Sequence, residues 1–380
     1  MKFSKSLSII AAGLAMFSMF FGAGNVIFPL MIGFTVKEMV PFASFGLLIG
    51  AVGLPFLGLF SMILCDGDVN RYFNKLGKPF GFIVGFFTIS LLGPLGASPR
   101  CIAFASSTLQ ASGLTLPHTL FCALACLVVG LLAMRKNKII EVLGYFLTPI
   151  LVLLLGIMMV KAVLSEGSFP ASEFTEMQSF YLGLKEGYLT MDLLAALFFA
   201  PLILANLKQS QASCSLFKKA FLSSLIGGLL LALTYLGFSY AAAIHSETLS
   251  HAKPEALLSE IAFKILGDHA GIFISLLVIL ACLTTAIALL SVFASFVETA
   301  FPKKWKISYE KALFSGILIA GLIATLEFKG ITLLLGPILD YLYPIIILLA
   351  LTHVAEYFWK AKKELALDPV DGNEVEGISP

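Results

Sequence analysis

The sequence predicts an all-α membrane protein of about ten transmembrane helices, arranged as a five-plus-five inverted repeat with helices one and six interrupted. Three observations carry that prediction. The 380-residue chain is 59% hydrophobic and only 13% charged, with mean hydropathy +0.97. A compact soluble domain has no interior large enough for that much apolar surface, so the excess must face lipid. Apolar runs of about 20 residues, enough to cross the hydrocarbon layer as a helix, recur ten times. Lysine and arginine then alternate from one connection to the next, as the positive-inside rule requires.

The first run follows Met1-Lys2-Phe3-Ser4-Lys5 and continues through Asn25 to Ile32. It is too long for a cleaved leader and reads as the first membrane helix. The predicted spans are 7–33, 40–64, 80–110, 117–134, 139–164, 187–206, 213–244, 269–300, 310–326 and 330–357. Together they form one transmembrane domain over 1–359, with repeat halves at about 7–164 and 187–357. The connections near 165–186 and 245–268 are long enough for short surface helices. The segment 360–380 is polar and reads as a disordered cytoplasmic tail.

Of the 25 lysines and arginines, 18 fall in one set of connections and 6 in the other, with Arg100 inside a span. Both termini are therefore expected on the cytoplasmic side of the cell (inner) membrane. Five spans per half reverse the orientation of the second half, which is the geometry of an inverted repeat. Such repeats place a site at mid-membrane, where the first helix of each half is broken.

Span one carries Gly22-Ala23-Gly24-Asn25 near its middle. Each glycine weakens a helix by about 1 kcal/mol relative to alanine, and asparagine bonds locally to backbone in preference to the helical ladder. A break there frees amides suited to a carboxylate and carbonyls suited to a cation. The competing reading is a small-residue face that lets helices approach. In span six a break is expected near Phe198–Pro201, because Pro201 lacks a donor. A simple proline kink explains the same residues. Span eight places a carbonyl and two hydroxyls, from Ala281, Thr284 and Thr285, on one helix face. That trio suits a hard cation, although membrane threonines also bond their own backbone.

Ionisable residues inside spans are Arg100, Asp192, Glu298, Asp340 and, near a span end, Glu141. Buried charges are costly in lipid and normally face a partner or a cavity. Matching depths pair Arg100 with Asp340 as an external gate, with Asp192 as the alternative partner. A static structural pair explains the same charges. The six cysteines read as small buried hydrophobes. The five histidines lie near span ends or in loops and form no metal or catalytic pattern, so no enzyme and no cofactor are expected. Net charge +2 without a basic run excludes a nucleic-acid partner, and no selectivity-filter sequence argues for a channel.

Phe21-Gly22-Ala23-Gly24-Asn25-Val26-Ile27-Phe28-Pro29 resembles the first-helix signature of the branched-chain amino acid:cation symporters. Gly53-Leu54-Pro55, Asp66-Gly67-Asp68, Gly93-Pro94, Ser98-Pro99-Arg100, Gly187 to Asp192, and Tyr343-Pro344 extend the resemblance over residues 5–350. The resemblance implies uptake of leucine, isoleucine and valine coupled to sodium by alternating access, in a fold similar to the sodium-coupled leucine and neurotransmitter carriers. It implies that Gly22, Gly24 and Asn25 form an unwound segment and that the amides of Ala23 and Gly24 hold the substrate carboxylate. It also implies that the carbonyls of Ser18 and Phe21, with Ala281, Thr284 and Thr285, bind sodium. Phe198 and Phe199 would be apolar substrate contacts at the second break. Proton coupling through Asp192 or Asp340 is the alternative. Members of that family usually have about twelve spans, whereas this chain ends after ten; the oligomeric state stays open.

Overall fold

In the computed structural model the described residues are 5–113, 116–134, 147–165, 167–209, 216–247, 249, 253–267, 270–301 and 307–367. Among them the regular structure is entirely helical. The first span is two helices, α1 (Lys5–Phe20) and α2 (Ala23–Val36). The Phe21 amide makes the last bond of α1, to the Phe17 carbonyl at 2.8 Å. Gly22 then turns extended, with φ −116° and ψ −160°, before α2 begins. The expected interruption of helix one is present, at Phe21 and Gly22, the first glycine of the pair being the weak helix former.

Span two is α3 (Val40–Leu48) and α4 (Leu54–Leu64), joined by a π-helical turn at Ile49–Gly53. Pro55 supplies no amide to the ladder, and the wider turn absorbs the mismatch. The short helix α5 (Val69–Phe73) is capped by Asp68, whose Oδ1 accepts from the amides of Asn70 (2.9 Å) and Arg71 (3.1 Å). Span three, expected to be continuous, is broken into α6 (Lys78–Leu92) and α7 (Ala97–Ala111). The intervening Gly-Pro-Leu-Gly stops one helix, and a Cβ on Gly96 would sit 2.4 Å from the Leu91 carbonyl. Spans four and five are α8 (His118–Ala133) and α9 (Thr148–Val163); Glu141 lies outside the described residues.

Span six departs most from expectation. It consists of α10 (Glu176–Leu189) and α11 (Asp192–Gln209), with axes bent by 42° at Thr190–Met191. The break expected near Phe198–Pro201 is absent there, because α11 runs through Pro201 without interruption. Met191 instead adopts a positive φ of 68°, a conformation that side chains rarely accept. The residues assigned by sequence to a surface loop are half of a membrane span, so the second repeat begins at Glu176. They went unrecognised because α10 carries Glu176, Lys185 and Glu186 and falls below an apolar-run criterion.

The remaining helices are α12 (Leu216–Ile244), α13 (Leu257–Leu266), α14 (Ala270–Ala300), α15 (Tyr309–Ala324) and α16 (Glu327–Leu367). Of these, α13 is the short helix expected in the 245–268 connection. The last helix continues past Lys360 to Leu367, so the tail expected from residue 360 starts helical. Residues 368–380 lie outside the described residues.

The packing reproduces the predicted repeat. Both α1 and α2 pack on α12, which is span one on span seven, while α10 packs on α3 and α11 on α4, which is span six on span two. Exchanging spans one with six and two with seven turns the first pairing into the second. The contacts of α7 with α14 and of α8 with α15 map onto themselves under the same exchange. Outside this core, Leu120, Leu124, Leu127 and Leu131 form an exposed apolar stripe along α8, as a lipid-facing helix requires.

Segments assigned to the same side of the membrane meet in two places. On the lysine-rich side, Lys75 Nζ meets the Thr352 carbonyl (3.0 Å) and Glu356 (2.8 Å). His353 Nε2 lies 3.0 Å from the Tyr72 carbonyl, tying the 65–77 connection to the end of α16. On the opposite side Glu38 donates its amide to the Pro170 carbonyl (3.3 Å) and accepts from the Ser172 amide (3.1 Å).

Candidate functional site

The three broken spans converge. A small, tight cavity is lined by Met19, Phe20, Gly22, Ala23, Gly24 and Asn25 of the first break and by Thr190, Met191 and Asp192 of the second. Leu92, Ala97, Arg100 and Cys101 reach it from the third break, and Thr285 and Leu289 from α14. Its walls are mainly apolar with a few polar groups, the usual character of a small-molecule site.

Asn25 is the hinge of this arrangement. Its Oδ1 accepts from the Gly22 amide at 3.1 Å, which satisfies one of the donors exposed at the start of α2. That bond fixes the direction of the side-chain amide. Nδ2 then donates to Asp192 Oδ2 at 2.7 Å and to the Tyr235 hydroxyl. Tyr235 closes the triangle by donating to the same Asp192 oxygen at 2.8 Å. One buried triangle thus ties the break in span one to the break in span six and to α12. Asp192 opens α11, where a negative charge suits the positive end of the helix dipole.

Arg100 is 2% exposed. Its Nη1 donates 2.9 Å to the carbonyl of Leu189, the last residue of α10, where helical carbonyls lack partners. The guanidinium carbon lies 5.4 Å from the Phe28 ring centroid and 5.9 Å from that of Phe328, within cation–π range. A Cβ on Gly24 would come 2.8 Å from Arg100 Nη2, and one on Gly22 would lie 3.0 Å from Cys101 Sγ. Both readings of the glycine pair are therefore correct at once. Gly22 opens the helix, and both glycines admit close neighbours.

Four of the five oxygens named from the sequence lie near one another. The Ser18 carbonyl accepts from Thr284 Oγ1 at 3.2 Å and from Thr285 Oγ1 at 3.1 Å. Thr284 also donates to the Ala281 carbonyl at 2.9 Å. Phe21 is fully buried at the adjoining break. Four uncharged oxygens from α1 and α14 thus lie together, the ligand chemistry that a hard monovalent cation takes.

Other expected residues are not brought together. Asp340 is exposed on α16, whereas Arg100 is buried, and no ion pair joins them among the described residues. On α16 it is Tyr343 that turns inward, stacking on Tyr188 at 4.9 Å, while Asp340, just under one turn earlier, is exposed. Asp192, the alternative partner, does share the cavity with Arg100. Phe198 faces away from the central cavity, packing between Phe73 (6.0 Å) and Phe296 (5.9 Å). Phe199 reaches the site only through Phe20, edge to face at 5.4 Å. Both were placed there on the assumption of a break at Pro201. Glu298 lies partly buried near the end of α14.

Tyr235, Thr190, Met191 and Cys101 line or brace the site without having been singled out. Tyr235 had no local signal, being one aromatic residue in an apolar run. Thr190 and Met191 stood in a recognised motif, but their positive-φ turn was not legible in it.

A second cavity, with an empty volume of about 850 Å³, opens on the lysine-rich side between Gly67, Phe198, Pro201, Ser295, Phe296 and Thr299. Leu289 borders the central cavity and Val292 the second one, about 4.5 Å apart along the α14 axis. Arg100 lines the central cavity with Phe28 and Phe328 packed against its guanidinium.

The model for the branched-chain amino acid transport protein family matches residues 5–370. The chain belongs to that family. It is 31% identical over 376 residues to the branched-chain amino acid permease BrnQ of Bacillus subtilis, covering 94% of this chain and 83% of the relative. The permease of the same name from Escherichia coli K12 is 29% identical over 378 residues, covering 96% and 84%. Members of this family are multi-pass membrane carriers, not enzymes. Among solved structures, Mhp1, a nucleobase-cation-symport-1 transporter in a closed conformation, matches with TM-score 0.63 at 14% identity, covering 92% of this chain and 78% of its own. MhsT in complex with L-phenylalanine matches with TM-score 0.58 at 17% identity, covering 83% and 78%. These likenesses establish the fold, an inverted repeat with broken first and sixth spans.

Proposed function

We propose that this carrier imports leucine, isoleucine and valine together with sodium by alternating access, with both termini in the cytoplasm of the cell. The observation that carries the reading is the meeting of two helix breaks at one small, largely apolar cavity beside an uncharged oxygen cluster. The amides of Ala23 and Gly24, at the positive end of α2, suit a carboxylate. Phe20, Met19, Met191, Ala195 and Leu289 give the cavity an apolar wall that would contact a branched aliphatic side chain as the site opens. One methylene more or less in such a pocket changes binding by about 1–3 kcal/mol, so the three substrates compete with one another. The names of the relatives support the same substrate class.

Sodium would sit among the Ser18, Phe21 and Ala281 carbonyls and the two threonine hydroxyls, joining α1 to α14. Movement of α1 and α11 against α14 would open the cavity to one side or the other. The vestibule on the lysine-rich side would be the path of cytoplasmic release.

Proton coupling is the second reading, favoured by the buried carboxylate of Asp192 at the cavity. Uptake of labelled leucine into proteoliposomes, with sodium and proton gradients imposed in turn, separates the two. Under sodium coupling only the sodium gradient drives accumulation, and Thr284→Ala with Thr285→Ala raises the sodium concentration needed by about tenfold or more, as expected for two lost ligands of about 1 kcal/mol each. Accumulation driven by protons alone, unaffected by the threonine changes, would sink the sodium assignment.

A further inference from the structure

The cavity holds one buried cation and one buried anion. Arg100 and Asp192 are each 2% exposed and line the same space, yet no ion pair within 4.0 Å joins them among the described residues. We propose that Arg100 and Asp192 bind the two charged ends of the substrate, the guanidinium taking its carboxylate and the Asp192 carboxylate taking its ammonium, so that the carrier selects a zwitterion. This rests on the reading of the chain as an amino-acid carrier and deepens it.

Arg100 spends one donor on a neutral carbonyl, and its Nε is buried without a hydrogen-bond partner. A Cβ on Gly24 would come within 2.8 Å of Arg100 Nη2, so the guanidinium lies beside the first turn of α2. A carboxylate placed there accepts from both, and charge-assisted bonds of that kind are the strong ones. On the other wall, Asn25 and Tyr235 both donate to Asp192 Oδ2. They hold the carboxylate in place while adding no positive charge. An ammonium group supplies the charge that the triangle lacks. Leaving either charge unmatched in the membrane interior is costly, and a zwitterion matches both at once. Recognition of the constant part of the substrate is thereby separated from the apolar wall that reads its side chain.

The rival is purely structural: Arg100 caps α10, and Asp192 locks Asn25 and Tyr235. Ligand-induced thermal stabilisation of the purified full chain distinguishes them, because it reads binding without turnover. The probes are leucine, 4-methylpentanoate, which keeps only the carboxylate, and 3-methylbutylamine, which keeps only the ammonium. In the native protein each analogue binds at least about tenfold more weakly than leucine. In Asp192→Asn, leucine weakens by at least about tenfold while 4-methylpentanoate is unchanged within about twofold. In Arg100→Gln, leucine weakens comparably while 3-methylbutylamine is unchanged, and Arg100→Lys recovers part of the loss. Parallel weakening of leucine and both analogues in each variant overturns the proposal in favour of the structural roles. So does an analogue that matches leucine in the native protein. A panel of the twenty amino acids keeps the substrate reading separate. If a different amino acid stabilises the protein and leucine does not, the branched-chain assignment fails, and the pairing is decided by that amino acid's own one-ended analogues.

Discussion

Asn25→Ala is expected to reduce leucine uptake to on the order of 1% of the native rate while leaving the protein folded. The substitution removes the Gly22 acceptor and both donations, to Asp192 and to Tyr235. A hydrogen bond to a charged group contributes about 1.5–3 kcal/mol, and a buried partner left unsatisfied costs a further 1–3 kcal/mol. Losses of that size at the junction of two moving half-helices translate to about a hundredfold. Tyr235→Phe removes one side of the triangle and keeps the Asn25–Asp192 bond, so a milder loss is expected. Proteoliposome uptake measures both, with size-exclusion profiles to verify folding. If Asn25→Ala transports at the native rate, the triangle is ornamental and the site lies elsewhere.

Gly183→Ala is expected to prevent recovery of folded carrier, although alanine is the better helix former. At Gly183 an added Cβ would lie 1.9 Å from the Ala43 carbonyl oxygen, a backbone atom that no rotamer can move. Gly46 meets the Phe180 carbonyl at 2.1 Å by the same construction, and Gly50 and Gly187 approach each other's backbones. Helix α3 with the π-helical turn after it and α10 therefore touch along four glycines, as membrane helices do where small residues allow close approach. Separating them costs more than the 1–3 kcal/mol typical of overpacking, since the backbone itself must shift. The sign makes the test sharp. If 176–189 were a surface helix, Gly183→Ala would stabilise it by about 1 kcal/mol. Met177→Ser on the exposed face of the same helix serves as a neutral control. Normal yield and melting temperature for Gly183→Ala would refute the close contact.

Composition and charge placement alone determined the membrane class, the ten-span order and the five-plus-five division, because the bilayer imposes length and sidedness on every span. Local chemistry also determined the first break, where two glycines and an asparagine fall together, and the oxygen face of α14, where helical period aligns Ala281, Thr284 and Thr285. These features depend only on neighbours in the chain. Span six shows the limit. Pro201 looked like the breaker, yet α11 accommodates it, and the break falls at buried Met191, which takes a positive φ. The polar helix α10 is membrane-embedded because glycine matches glycine across to α3, a relation between residues over a hundred positions apart. Likewise, matching depth suggested that Asp340 faces Arg100, but depth does not specify the face of a helix, and Asp340 turns outward. Tyr235 carries no local mark, and only the fold brings it to Asp192. The sequence determined where helices must lie and where one must open; the tertiary structure decided which buried polar groups meet, because partners distant in the chain are chosen by packing.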